Sequence, residues 1–154
     1  MLLEVRTRSL GLDVGDRRIG VAVGDPEGIL ASPFAIIERK DDNADAGAIV
    51  SIVKDQQVKQ IIVGLPQSMS GNIGQQAVKV KAFVEVLRKY TEAPIEFRDE
   101  RLTTVSAQRL KREAGTKKTR KKVEYDAIAA AIILQGYLDE RRQYGEHSSS
   151  RDTD

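Results

Sequence analysis

The stretch SLGLDVGDRRIGVAVGD, residues 9–25, limits the possible folds more than any other part of the chain. Apolar residues alternate with small or polar ones on both sides of the segment GDRR: Leu10, Leu12 and Val14 before it, and Ile19, Val21 and Val23 after it. Alternation with a period of two is typical of strands with one buried face, so we predict a hairpin. The other face carries Asp13 among Ser, Gly and Ala, which leaves space for a helix or a ligand near the backbone.

The remaining chain alternates between strand and helix patterns. A third strand is predicted over residues 29–38, where Pro33 indicates an edge position or a bulge. Further strands are predicted over 60–66 and 93–100, and helices over 43–57, 103–115 and 123–143, with another helix along the apolar stripe Ile73, Ala77, Val80, Val84 and Leu87. The order β-β-β-α-β-α-β-α-α predicts an α/β fold with a mixed sheet and helices packed on it.

Length and composition favour one domain. The chain has 154 residues, of which 40% are hydrophobic, and this suits a single core. We expect the domain to occupy residues 1–142 and residues 143–154 to be a disordered tail. No cysteine is present, which excludes disulfides, thiolate metal sites and cysteine nucleophiles. The sequence has no export or membrane signal, so we expect a cytoplasmic protein.

Positive charge is concentrated in one segment. Lys and Arg number 25 against 23 acidic residues, so the net charge of +2 says little about partners. In TKKTRKK, residues 116–122, five of seven side chains are cationic. We interpret this segment as a basic loop that precedes the last helix and could hold the phosphates of a nucleic acid. The alternative is a solvated charged loop without a ligand.

Three acidic residues occupy ends of predicted elements: Asp13 in the first strand, Glu100 after the strand IEF, and Asp126 at the start of the last helix. Asp126 shares a helix face with Ala130 and Ile133, so we expect it to point inward. Inward carboxylates repel one another unless a cation lies between them, and Mg²⁺ prefers oxygen ligands. Each acid also has a plainer interpretation: Asp13 as a turn former, Asp126 as a partner of the helix dipole, and Glu100 as an ion-pair partner of Arg98 or Arg101.

The segments LDVGDRRIGVAVGD, IIVGLPQSMSG, RDERLTT and YDAIAAAIIL, in this order, resemble the YqgF/RuvX family, whose members are described as Holliday junction resolvases and as pre-16S rRNA nucleases. The resemblance covers nearly the whole chain. It implies an RNase H-like fold: a mixed five-stranded sheet with antiparallel strands 1–3, then parallel additions, and helices on both faces.

By the same resemblance, Asp13, Glu100 and Asp126 are the catalytic metal ligands. They would hold Mg²⁺ or Mn²⁺, as two ions about 4 Å apart, for phosphodiester hydrolysis. The family's G-L-P loop is present at residues 64–66, but Ser70 stands where many members have an acid. Cations expected beside the acids and in contact with nucleic acid are Arg17, Arg18, Arg101, Lys117, Lys118, Arg120, Lys121 and Lys122.

Several functions remain open at this point. The hairpin also resembles the phosphate-binding hairpin of actin-like and sugar-kinase ATPases, although 154 residues leave no room for their second domain. An inert nucleic-acid-binding factor with the same fold is another alternative. Within the nuclease class, the residues do not distinguish a structured RNA precursor from branched DNA. The resemblance favours 5′ processing of pre-16S rRNA, which a monomer can perform, whereas resolution of a four-way junction calls for a homodimer.

Overall fold

The computed structural model describes residues 8–66, 71–99 and 119–151, with side chains described for 8–66, 74–99 and 126–143. Five strands form one sheet: β1 (Arg8–Val14), β2 (Arg18–Gly24), β3 (Ala31–Glu38), β4 (Val58–Leu65) and β5 (Ile95–Asp99). Their order is β3-β2-β1-β4-β5. Strand β2 is antiparallel to both of its neighbours, β1 and β3, while β4 joins β1 and β5 joins β4 in parallel. The expected mixed sheet is confirmed.

The predicted hairpin is present, and its register pairs Asp13 with Gly20. Strand β3 lies at an edge of the sheet, and its pairing with β2 shifts register beside Pro33. It begins two residues later than predicted, because the backbone amides of Ile29 and Leu30 donate to the Asp25 carboxylate at 2.7 and 3.3 Å instead of extending the ladder. Proline lacks a ladder donor, so the edge and the irregularity accommodate it.

In the described part of the chain, three helices cover the sheet: α1 (Asp42–Asp55), α2 (Gly71–Arg88) and α3 (Thr119–Arg151). Helix α1 begins where the Asp41 side chain accepts a hydrogen bond from the amide of Ala44 at 2.8 Å, which is an N-cap. The apolar residues of β1 and β2 pack with α1 and α2 on one face, around Phe83. Helix α3 packs on the opposite face against Ala22 and Ile62. Helices therefore lie on both faces, as expected.

The small residues of the hairpin are explained by α3. A Cβ atom on Gly11 would lie 2.8 Å from Cβ of Leu134 and 2.9 Å from the carbonyl oxygen of Ala130. One on Gly20 would overlap the backbone of Asp126. Of the two expected occupants of this face, a helix or a ligand, the structure has a helix at both glycines. Only residues without a side chain let helix and sheet backbones come this close.

The last helix differs from the prediction at both ends. It begins at Thr119, so Arg120, Lys121 and Lys122 belong to its first turn and not to a loop. Lysine and arginine are good helix formers, so these positions are compatible with a helix even though positive charge is unfavourable at the N-terminal end of the helix dipole. It also runs beyond the predicted end at residue 143 to Arg151, and no proline stands in this segment to interrupt it. Asp126 consequently lies inside the helix and not at its start.

The predicted helix over 103–115 lies outside the described residues, as does the end of the chain at 152–154. Among the described helices, none is long and apolar enough to cross a membrane.

Candidate metal and nucleic-acid site

Strands β1, β4 and β5 run in the same direction, so their C-terminal ends meet at one edge of the sheet. Asp13 is the penultimate residue of β1, and Asp99 is the last residue of β5, with β4 between the two strands. Glu100 directly follows β5 in the chain and lies outside the described residues. The direction of the strands therefore brings Asp13 and Asp99 to the same edge of the sheet.

Asp13 and Asp126 meet on one face of the sheet. Asp13 pairs with Gly20, and residues paired across an antiparallel ladder have their side chains on the same face. The backbone of Asp126 sits directly over Gly20, where a Cβ atom would lie 2.9 Å from the amide nitrogen of Ala127. The side chain of Asp126 is about one-third exposed (35%), so it can be reached from solvent. Two of the three predicted metal ligands are thus neighbours.

Arg18 belongs to the same cluster. It lies two residues before Gly20, on the same face of β2, and its Nη1 is 3.8 Å from Oδ2 of Asp126. Arg18 therefore lies beside one of the predicted acids, Asp126. Arg17 is exposed in the β1–β2 turn, residues 15–17. The cation lowers the electrostatic cost of holding carboxylates close together.

A second ion pair joins the elements that carry the acids. Arg98 of β5 donates to both carboxylate oxygens of Glu140 in α3, at 2.7 and 3.2 Å. Hydrogen bonding and the charge of Arg98 hold the pKa of Glu140 below its ordinary value of 4.5. The guanidinium lies against Gly136, where a Cβ atom would be 2.8 Å from Nη2. The contact connects the helix of Asp126 to the strand that leads into Glu100.

Comparison with known proteins identifies the family. The family model described as "RuvX: Holliday junction resolvase" matches residues 7–140. The chain belongs to the RuvX family. Curated relatives of similar length carry the name "Putative pre-16S rRNA nuclease". The relative from Roseiflexus sp. (strain RS-1) is 44% identical over 135 residues, covering 88% of this chain and 96% of the relative. That from Clostridium novyi (strain NT) is 47% identical over 132 residues, covering 86% and 98%.

Solved structures support the fold of this RuvX protein. Thermus thermophilus RuvC in complex with a Holliday junction substrate superposes with a TM-score of 0.56 at 12% identity, covering 89% of this chain and 96% of RuvC. The Fowlpox virus resolvase bound to Holliday junction DNA gives a TM-score of 0.50 at 11% identity, covering 87% and 98%. At such identities the likeness concerns the fold alone, and the expected RNase H-like fold is confirmed.

The structure brings together Asp13, Asp126 and Arg18, and leaves the other predicted site residues of the RuvX chain untested. Glu100, Arg101, Lys117 and Lys118 lie outside the described residues. Arg120, Lys121 and Lys122 are described as helical backbone only. Arg98, which we considered as a partner of Glu100, is bound to Glu140.

The donor chemistry of the site fits a hard divalent cation. Asp13 and Asp126 offer carboxylate oxygens, the ligands that Mg²⁺ and Mn²⁺ prefer. Within the described ranges, no group of three or more His, Cys, Asp or Glu side chains is arranged to hold a metal ion. Mg²⁺ is usually held by one or two carboxylates together with waters and substrate phosphates, so Asp13 and Asp126 suffice as the carboxylate part of such a site.

Sequence reasoning missed Arg39, which contacts the turn after Asp13. Its Nη1 donates to the carbonyl oxygen of Gly15 at 3.2 Å, and its Nε donates to Asp45 at 3.0 Å. The sequence offered one signal for the ion pair between Arg39 and Asp45: Asp45 lies on the buried face of α1 together with Ile49 and Val53. An acid at an apolar helical position needs a partner when it is buried.

Proposed function

We propose that this RuvX protein is a divalent-metal-dependent endonuclease that hydrolyses phosphodiester bonds at the 5′ end of pre-16S rRNA. The observation that carries the proposal is the convergence of Asp13 and Asp126 on one face of the sheet, through the pairing of Asp13 with Gly20 and the contact of Gly20 with α3. The names of the curated relatives support the substrate. Processing of ribosomal RNA takes place beside the assembling ribosome, so we also propose a cytoplasmic location.

The three carboxylates of the proposed site come from different parts of the chain. Asp13 is held by the sheet and Asp126 by α3, and we propose Glu100 as the third ligand because it follows β5 in the sequence. Two bound Mg²⁺ ions would activate the attacking water and stabilise the charge that develops on the phosphate. The chain's own contribution is to hold the carboxylates in position and to balance their charge with Arg18, 3.8 Å from Asp126.

Contacts with the nucleic acid are assigned to cations around the acids. Arg17 is exposed in the β1–β2 turn, and Arg18 lies on the face of Asp13. We propose that both bind backbone phosphates near the cleavage site. Arg101 and the basic segment of residues 117–122 are proposed to extend this contact on the strength of their place in the sequence. Phosphate contacts position the strand but do not read its bases.

Holliday junction DNA is the second candidate substrate. The description of the RuvX family model favours it, and the RNase H-like fold is shared with junction-bound RuvC. Resolution of a junction needs two cuts related by two-fold symmetry, and therefore a dimer. The oligomeric state during cleavage distinguishes the two candidates, because trimming one RNA end requires a single active site.

The experiment offers the purified full chain a pre-16S rRNA 5′ leader and a synthetic four-way junction in parallel, with Mg²⁺, Mn²⁺ or EDTA. We expect metal-dependent cleavage of the RNA, and a loss of at least about 100-fold in Asp13→Asn and Asp126→Asn. The matched control is Asp139→Asn, which changes a half-exposed acid on the same helix. Cleavage that survives both substitutions, or cleavage of the junction alone, would contradict the proposal. Binding of both substrates without cleavage would support the inert binding factor instead.

A further inference from the structure

The end of β1 and the β1–β2 turn are held by contacts from outside the hairpin at every residue from 14 to 17. The carbonyl oxygen of Val14 accepts from Nε2 of Gln76 at 3.2 Å. That of Gly15 accepts from Nη1 of Arg39 at 3.2 Å. The Asp16 carboxylate pairs with Lys79 at 3.4 Å, and the carbonyl oxygen of Arg17 accepts from the amide of Arg39 at 2.9 Å. This turn separates Asp13 from Arg18.

Among the residues that hold the turn, Arg39 is the most constrained. Its side chain is 17% exposed, and it pairs through Nε with Asp45, whose side chain is 2% exposed. Its Nη2 donates to Asp42 at 2.6 Å, and its guanidinium lies 4.9 Å from the centre of the Phe83 ring. Asp45 accepts in addition from the amide of Lys40 at 3.0 Å. The guanidinium is therefore fixed by α1 and α2 while it holds the turn.

These contacts require arginine. A guanidinium presents five donors in a planar fork, so one side chain can serve Asp42, Asp45 and Gly15 from three nitrogens. A lysine ammonium is a point charge that could keep the pair with Asp45 but could not reach all three acceptors. Replacement by lysine thus keeps the positive charge at residue 39 but removes the hydrogen bonds that bridge the three acceptors.

We infer that Arg39 is a positioning residue of the metal site: by fixing the β1–β2 turn, it sets the orientation of Asp13 on one side and Arg18 on the other. The inference rests on the proposed function, because it assigns Arg39 an effect on the metal ligand Asp13. Residues that support metal ligands from outside typically change metal affinity about 10- to 100-fold when they are replaced. Stability alone cannot test this role, since a buried ion pair also contributes to folding.

The test measures Mn²⁺ affinity of the full chain by titration calorimetry, and hydrogen exchange of the Gly15 amide, which donates to the carbonyl oxygen of Arg18 at 2.9 Å. Measurements are made where thermal denaturation shows each variant to be folded. We expect Arg39→Lys to weaken Mn²⁺ binding about tenfold and to accelerate exchange at Gly15. The control is Arg88→Lys, a half-exposed arginine of α2 paired with Glu85, which should change neither.

A second variant covers the case in which Arg39→Lys does not fold. Arg39→Met combined with Asp45→Leu removes both buried charges, which avoids an unpaired carboxylate in the core. It should fold and bind Mn²⁺ as weakly as Arg39→Lys. Wild-type Mn²⁺ affinity in a folded Arg39 variant would overturn the inference. The variant Asp13→Asn distinguishes a failure of the inference about Arg39 from a failure of the proposed function. If Asp13→Asn binds Mn²⁺ like the wild type, the metal site itself is wrongly assigned.

Discussion

The backbone of Asp126 rests directly on Gly20, so closely that a Cβ atom on the glycine would overlap the Asp126 carbonyl group. This contact decides where α3 crosses the sheet. Because Gly20 pairs with Asp13, it also decides which carboxylates become neighbours. Gly20 therefore determines both how α3 packs on the sheet and which residues lie together in the site.

Replacement of Gly20 by alanine is expected to destabilise the protein. The added methyl group meets backbone atoms of α3, which cannot rotate away, and overpacking of this kind costs about 2–3 kcal/mol. The free energy of unfolding from urea denaturation measures the effect. The control is Gly47→Ala in α1, where a Cβ atom meets nothing within 4 Å. It should stabilise the protein by about 0.5–1 kcal/mol, since alanine favours helix more than glycine. A Gly20→Ala variant as stable as the wild type would refute the contact.

Arg17→Ala tests the assignment of the turn to nucleic-acid binding. If Arg17 neutralises a phosphate, the variant binds the pre-16S rRNA leader more weakly, and the slope of log K against log salt concentration falls by about 1. Binding is measured without divalent metal so that cleavage does not interfere. Lys59→Ala is the control, because Lys59 is exposed at the start of β4, at the opposite edge of the sheet. Equal losses in the two variants would indicate general charge attraction instead.

The ion pair between Arg98 and Glu140 gives a pH-dependent contribution to stability. Its hydrogen bonds lower the pKa of Glu140 from the ordinary 4.5, so the stabilisation is complete above that value and is lost as the pH falls through the lowered pKa. Glu140→Gln should cost only about 0.5 kcal/mol at neutral pH, since solvent screens a carboxylate that is more than half exposed. The difference from wild type should vanish under acidic conditions.

Thermal unfolding from neutral to acidic pH measures this difference. The matched control is Glu85→Gln in α2, whose carboxylate lies 3.6 Å from Arg88. We expect a smaller loss there, because that pair lacks the bidentate geometry of Arg98 with Glu140. A constant difference between Glu140→Gln and wild type down to acidic pH would contradict the assignment.

Local patterns predicted the strands and the face of the last helix on which Asp126 lies. Alternation in residues 9–25 predicted the hairpin, and Pro33 predicted the edge position of β3. The inward face of Asp126 followed from the buried helical positions of Ala130 and Ile133. The same reasoning misjudged the ends of α3, because charged and small polar residues are compatible with both helix and coil. Glu100 stays a prediction, since it lies outside the described residues.

The sequence by itself determined the elements, the small-residue face around Asp13 and the identity of the candidate acids, since these depend on the spacing of neighbours along the chain. Only the tertiary structure decided that α3, and not a ligand, lies against Gly11 and Gly20. It also decided that Arg39 holds the turn beside Asp13. Strand register and the approach of a helix depend on how distant surfaces fit together, and no local spacing encodes that fit.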